Sequence, residues 1–96
     1  MAISFTKSVL GRLNQEIADL EAKMLEQKKK TDKALLKIRQ IEKDCKLSSS
    51  PSDLSSKMSR ISKLKEDIKK FNQLQRELSK ELDKKKFTLA QLPPTE

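Results

Sequence analysis

The sequence predicts an all-α fold: two long antiparallel helices forming a coiled-coil hairpin, with a four-helix bundle as the form two copies would take. Three observations carry this expectation. Charged residues outnumber hydrophobic ones, 38% against 34%, with three aromatics and one glycine among 96 residues, a balance that suits long helices better than a compact core with many turns. Apolar residues recur at alternating steps of three and four in both halves, the a/d spacing of a coiled coil. The halves meet at Leu47-Ser48-Ser49-Ser50-Pro51-Ser52-Asp53-Leu54, a stretch that stops one helix and starts another.

The first helix is expected over 5–47, with residues 1–4 frayed and Ser4 or Thr6 as its cap. Gly11 near that end costs about 1 kcal/mol relative to alanine. The seam runs Leu10, Leu13, Ile17, Leu20, Met24, Gln27, Thr31, Ala34, Ile38, Ile41, Cys45, Ser48. Between Gln27 and Ala34 it has no large apolar residue, so this arm should be weakest there. Pro51 lacks an N–H and clashes with the preceding turn, which excludes it from the interior of an arriving helix. It suits the first position of a new one, with Ser50 as N-cap and Asp53 at the third helical position as a near-capping-box.

The second helix is expected over 51–91, with its seam at Leu54, Lys57, Ile61, Leu64, Ile68, Phe71, Gln75, Leu78, Leu82, Lys85, Leu89 and Leu92. Lys85 would have to snorkel out of its seam position, leaving that end loose. A Pro93-Pro94 exit over 92–96 reads as a semi-rigid lead into a downstream domain.

A chain that reverses at Pro51 brings together residues whose numbers sum to about 102, which places every a position opposite a d position. Leu13 then faces Leu89, Leu20 faces Leu82, Met24 faces Leu78, Ile38 faces Leu64 and Ile41 faces Ile61. Small meets large at Thr31 with Phe71 and Ala34 with Ile68, which keeps the gap between helices even. Gln27 and Gln75 share a layer, where two amides can bond each other and penalise a slipped register. The bland alternative makes each an accidental, partly wet seam position.

Apolar residues outside the seam, Val9, Leu25, Leu35, Leu36, Met58, Leu74 and Phe87, are candidates for an outer interface with a second copy or a partner helix. They form no unbroken stripe, and scattered exposed apolar residues are ordinary. The net charge is +8, carried mostly by lysine. Such a surface attracts nucleic acid through counterion release, yet sequence-specific readers use arginine and stacking aromatics, and Tyr and Trp are lacking. The clusters Lys28–Lys30 and Lys84–Lys86 sit on different arms, separated by about 15 Å at the helical rise, which speaks for solvated faces over one concentrated patch.

No enzyme is expected. Histidine is missing, the lone Gly11 makes no phosphate loop, and no pair of carboxylates is placed for acid–base work, so neither cofactor nor small-molecule ligand is anticipated. Cys45, the one cysteine, cannot form an internal disulfide and reads as a small seam hydrophobe. There is no apolar run long enough for a bilayer, and Met1–Phe5 lacks the regions of a signal peptide, so a cytoplasmic protein without membrane contact is expected.

The segment from Ser48 to Ile68, with a Ser/Thr-rich turn leading into Ser56-Lys57-Met58-Ser59-Arg60-Ile61 between two Lys-rich heptad arms, resembles the helical hairpins that precede TIR-type effector domains in some bacterial proteins. Outside the turn, over residues 12–90, the resemblance is one of composition. It implies a scaffold that assembles or positions an effector domain, and no enzymatic residue transfers with it. Helical-hairpin secretion partners of the Trp-X-Gly family share the length and shape, but their turn motif and export tyrosine are missing. The functional expectation is therefore a non-enzymatic oligomerisation or partner-docking module, with a basic nucleic-acid-binding rod as the alternative and a secretion partner or chaperone as the second.

Overall fold

The computed structural model describes residues 2–92, with the side chains of 7–92. The chain is an all-α helical hairpin of α1 (Ala2–Leu47) and α2 (Pro51–Gln91) joined by Ser48–Ser50. Helix α1 starts earlier than expected, upstream of Ser4 and Thr6, so neither is its cap and residues 2–4 are helical. Nothing in Ala2–Leu10 forbids the helical backbone, and serine and threonine in a helix interior lose only a few tenths of a kcal/mol, about 0.5 each. The expected fraying of Met1 and the Pro93-Pro94 exit lie outside the described residues.

The turn is made without glycine, and among the described residues no backbone φ is positive. Instead the Ser48 N–H donates to the Cys45 carbonyl (3.4 Å) and closes α1 with a tightened last turn. Ser50 caps α2 as expected. Its Oγ accepts the Asp53 N–H (3.4 Å), and its carbonyl accepts the Leu54 N–H (3.0 Å). The reciprocal half of a capping box is filled differently, because the Ser50 N–H donates to Ser48 Oγ (3.4 Å). This releases the Asp53 carboxylate to accept from the Lys57 ammonium one turn on.

The hairpin divides into two compact units. The terminal unit combines Met1–Glu26 with Gln75–Glu96, and the turn unit is Gln27–Leu74. In the terminal unit Ile17, Leu20, Leu78 and Leu82 form a buried cluster, with Met24 and Leu89 packed against it. Its register shows in the Lys85–Glu16 ion pair, 2.6 Å long, which joins residues on the two arms whose numbers sum to 101. Lys85 thus does leave the seam, and its charge ends on a carboxylate of the opposite helix.

In the turn unit Ala34, Ile38 and Ile41 are only 4–5% exposed, while Ile61, Leu64, Ile68 and Phe71 across from them are half-buried. The stretch expected to be weak contains two of the buried residues, Gln27 and Ala34. Thr31 turns its hydroxyl back to donate to the Gln27 carbonyl (3.1 Å), which satisfies that polar group within its own helix. All 24 seam positions are buried or half-buried, the outcome a 3-4 periodicity requires. No side chain among the described residues is wholly excluded from solvent, since each helix covers only one stripe of the other.

Candidate interaction surface

Near the turn, Lys57 holds a seam position and is partly shielded. Its pKa is raised, first by its hydrogen bond to Asp53, with desolvation opposing and the charges of Asp53 and Asp44 adding to the rise. Asp53 is held below the ordinary aspartate range by the same Lys57 bond and then by the Ser48 hydroxyl. Asp44 and Cys45 lie on the opposite helix from Lys57. Cys45 itself is half-buried.

In the terminal unit, Glu16 is the hub of a charged groove. It takes Lys85 at 2.6 Å and Arg12 at 3.8 Å. Its pKa is lowered, above all by the hydrogen bond from Lys85, with desolvation opposing and the charges of Lys85 and then Arg12 adding lesser contributions. Leu13, Glu77, Lys80, Glu81, Lys84 and Thr88 complete the walls of a cleft of about 710 Å³. A neighbouring groove joins Lys23 of α1 with Glu81 of α2 beside Glu16, Asp19 and Lys85. Both grooves mix charges of opposite sign along the edge of the seam, an arrangement that specifies pairing between helices. The sequence places Glu16 and Asp19 on faces beside lysines and treats Glu77, Lys80 and Glu81 as surface charges; that Glu16 pairs with Lys85 across the seam is what the spacing along one helix does not show.

The candidate outer residues are exposed. Leu25 and Phe87 belong to the terminal unit, and Leu35, Leu36, Met58 and Leu74 to the turn unit, with exposures from 40% for Leu35 and Leu74 to 67% for Phe87. Leu47, which sequence reading assigned only to the end of the helix, is more exposed than any of these, at 88%. Its spacing was a usable signal: Leu36 and Leu47 are eleven residues apart, about three helical turns, and so share one line along α1. Val9 is half-buried. Gln27 is buried and Gln75 half-buried, and they belong to different units.

No protein-family model matches the chain, and no curated protein or solved structure shows significant similarity to it. Among the described residues no group of three or more His, Cys, Asp or Glu side chains is placed to hold a metal ion, and no helix is long and apolar enough to cross a membrane. What the surface does present is a set of grooves beside the seam. In the turn unit one of them, about 200 Å³, has Ala34, Leu64 and Phe71 at its base and Lys30, Lys33, Lys37 and Asp67 at its rim. Lys28 and Lys29 are exposed on the same helix, as are Lys84 and Lys86 on α2.

Proposed function

We propose that this chain is a non-enzymatic scaffold: a coiled-coil hairpin that docks a second copy or a partner helix through its outer faces, in a cytoplasmic setting. The observation that supports it most is the contrast in burial. The seam stripe of each helix is occupied by the other, yet seven large apolar side chains, from Leu25 to Phe87, stay 40–88% exposed. Five of them belong to the turn unit. A hairpin used only as a spacer gains nothing from keeping leucines in water, whereas a docking module needs them there.

The resemblance to hairpins that precede TIR-type domains adds a purpose, the gathering of copies of an attached effector. Sedimentation equilibrium across a wide range of protein concentration tests the proposal. A mass that rises with concentration, and falls back when Leu36 and Leu47 are both replaced by serine, supports self-association. A monomer throughout, combined with steeply salt-dependent binding of duplex DNA, would favour the basic nucleic-acid-binding alternative.

A further inference from the structure

We infer that the turn unit, Gln27–Leu74, has a second and separate capacity: it binds the phosphate backbone of double-stranded nucleic acid without regard to sequence. The inference goes beyond the scaffold reading, which uses the exposed apolar side chains and not the charge. It starts from where the net charge of +8 sits. Along the chain that charge is evenly shared, with 11 basic and 7 acidic residues on each side of residue 50. Folding sorts it. The two units have 48 residues each, yet the turn unit holds 14 basic and 6 acidic residues and the terminal unit 8 of each. The whole excess belongs to the turn unit.

Burial sharpens the imbalance. In the turn unit every basic side chain except Lys57 is exposed, while three of the acids, Asp44, Asp53 and Asp67, are half-buried. Thirteen exposed cations thus stand against the three exposed carboxylates of Asp32, Glu42 and Glu66. Setting aside Lys30, which has an interaction of its own within the chain, leaves twelve. In the terminal unit seven exposed cations meet six exposed carboxylates among the described residues, and the half-buried Lys85 and Glu16 pair with each other.

The form of the excess selects the ligand. On α1 the exposed cations of the turn unit run from Lys28 to Lys46, about 27 Å at the helical rise, a length over which a duplex presents about 16 phosphate charges. All but Arg39 and Arg60 are lysines, and lysine meets a phosphate as a point charge, without the fixed fork by which arginine reads a base. Neither Tyr nor Trp is present to stack on one. An anionic bilayer asks for a broad apolar face, whereas Leu35 and Leu36 point about 100° apart around the helix and are followed by Lys37 and Arg39. An acidic polypeptide carries at most one charge per residue, about 3.3 Å of extended chain, half the charge density of a duplex and a smaller release of counterions.

The test follows the anisotropy of two labelled DNA duplexes of unrelated sequence on titration with the full chain. Both should bind alike. If about five of the twelve cations meet phosphates at once, log K falls against log salt with a slope of about −4.5, a loss of about 500-fold between about 50 and 200 mM salt. Two variants then remove the same charge from different units. Lys29→Gln/Lys43→Gln/Lys65→Gln/Lys69→Gln should weaken binding by about tenfold and flatten the slope by about 1.5. Lys23→Gln/Arg76→Gln/Lys80→Gln/Lys86→Gln should leave the slope as it is. All eight side chains are exposed, so helicity by circular dichroism should persist in both. Equal losses in the two variants would mean that binding follows total charge and overturn the inference, as would strong preference for one duplex. Displacement of the duplex by phosphatidylserine vesicles or by polyglutamate at equal charge would assign the turn unit to a membrane or to an acidic protein instead. Absence of DNA binding alongside concentration-dependent mass would sink the nucleic-acid surface and leave the scaffold reading standing.

Discussion

Truncating Leu82 to alanine should destabilise the protein far more than truncating the larger Phe87, five residues along the same helix. Leu82 is 7% exposed and packs within the cluster of Ile17, Leu20 and Leu78, whereas Phe87 is 67% exposed. Leucine to alanine removes three carbons at about 0.8 kcal/mol each when buried, so the transfer contribution is about 2 kcal/mol. The void adds little, because no described side chain is sealed from solvent and neighbours or water reach the gap. The expected loss thus sits at the low end of the range of about 2–5 kcal/mol for buried leucines. Phe87→Ala should stay within about 0.5 kcal/mol of the parent. Urea unfolding followed by circular dichroism, at two protein concentrations to expose any coupling to association, measures both. A Leu20→Ala/Leu82→Ala double-mutant cycle should add a coupling of at least about 0.5 kcal/mol for residues in one packed layer. Equal losses at Leu82 and Phe87, or additive effects at Leu20 and Leu82, would show that the seam is not what holds the arms together.

Three further outcomes are expected. Ser50→Ala removes the acceptor of the Asp53 N–H and should cost about 1 kcal/mol in urea unfolding, with Ser50→Asp retaining most of the stability. Gly11 has nothing within 4 Å of where a Cβ would stand and lies inside α1, so Gly11→Ala should raise stability by up to about 1 kcal/mol. The Glu16 pKa is lowered in the fold, so its contribution is present above the ordinary glutamate pKa of about 4.3 and is lost as pH falls through the lower folded value. Glu16→Gln should therefore unfold at less urea than the parent near neutral pH, with the difference shrinking below about pH 4; a gap that widens in acid would refute the Lys85 pairing.

The parts of the fold legible in the sequence are those governed by short-range chemistry or by a repeat. Ser50 and Pro51 declare a helix start because the cap hydroxyl and the fixed φ act within one turn. The seam is legible because a 3-4 periodicity sustained over twelve positions per arm leaves one stripe to face a partner. Periodicity marks the direction a side chain takes and says nothing of how deeply it sinks, so the contrast between buried Ala34 and half-buried Phe71 was out of reach. Asp53 had two possible partners within reach, a backbone N–H and the Lys57 ammonium, and helix geometry alone does not choose. Lys85 was expected to snorkel out of its seam position, and it does so onto Glu16 at the seam's edge, where a long side chain can leave the apolar stripe and still cross to the other helix.

Function was less legible because lysine at helical spacing serves two ends with one pattern. Lys28, Lys29, Lys30, Lys33 and Lys37 all keep α1 soluble, and sequence alone gives none of them a separate role. Packing separates them. Lys30, Lys33 and Lys37 line a groove together with Ala34, Leu64 and Phe71, whereas Lys28 and Lys29 are exposed and stand outside that lining. Helical spacing places all five on one arm and cannot tell which of them border half-buried apolar side chains, because that depends on how deeply the opposite helix sinks its own residues.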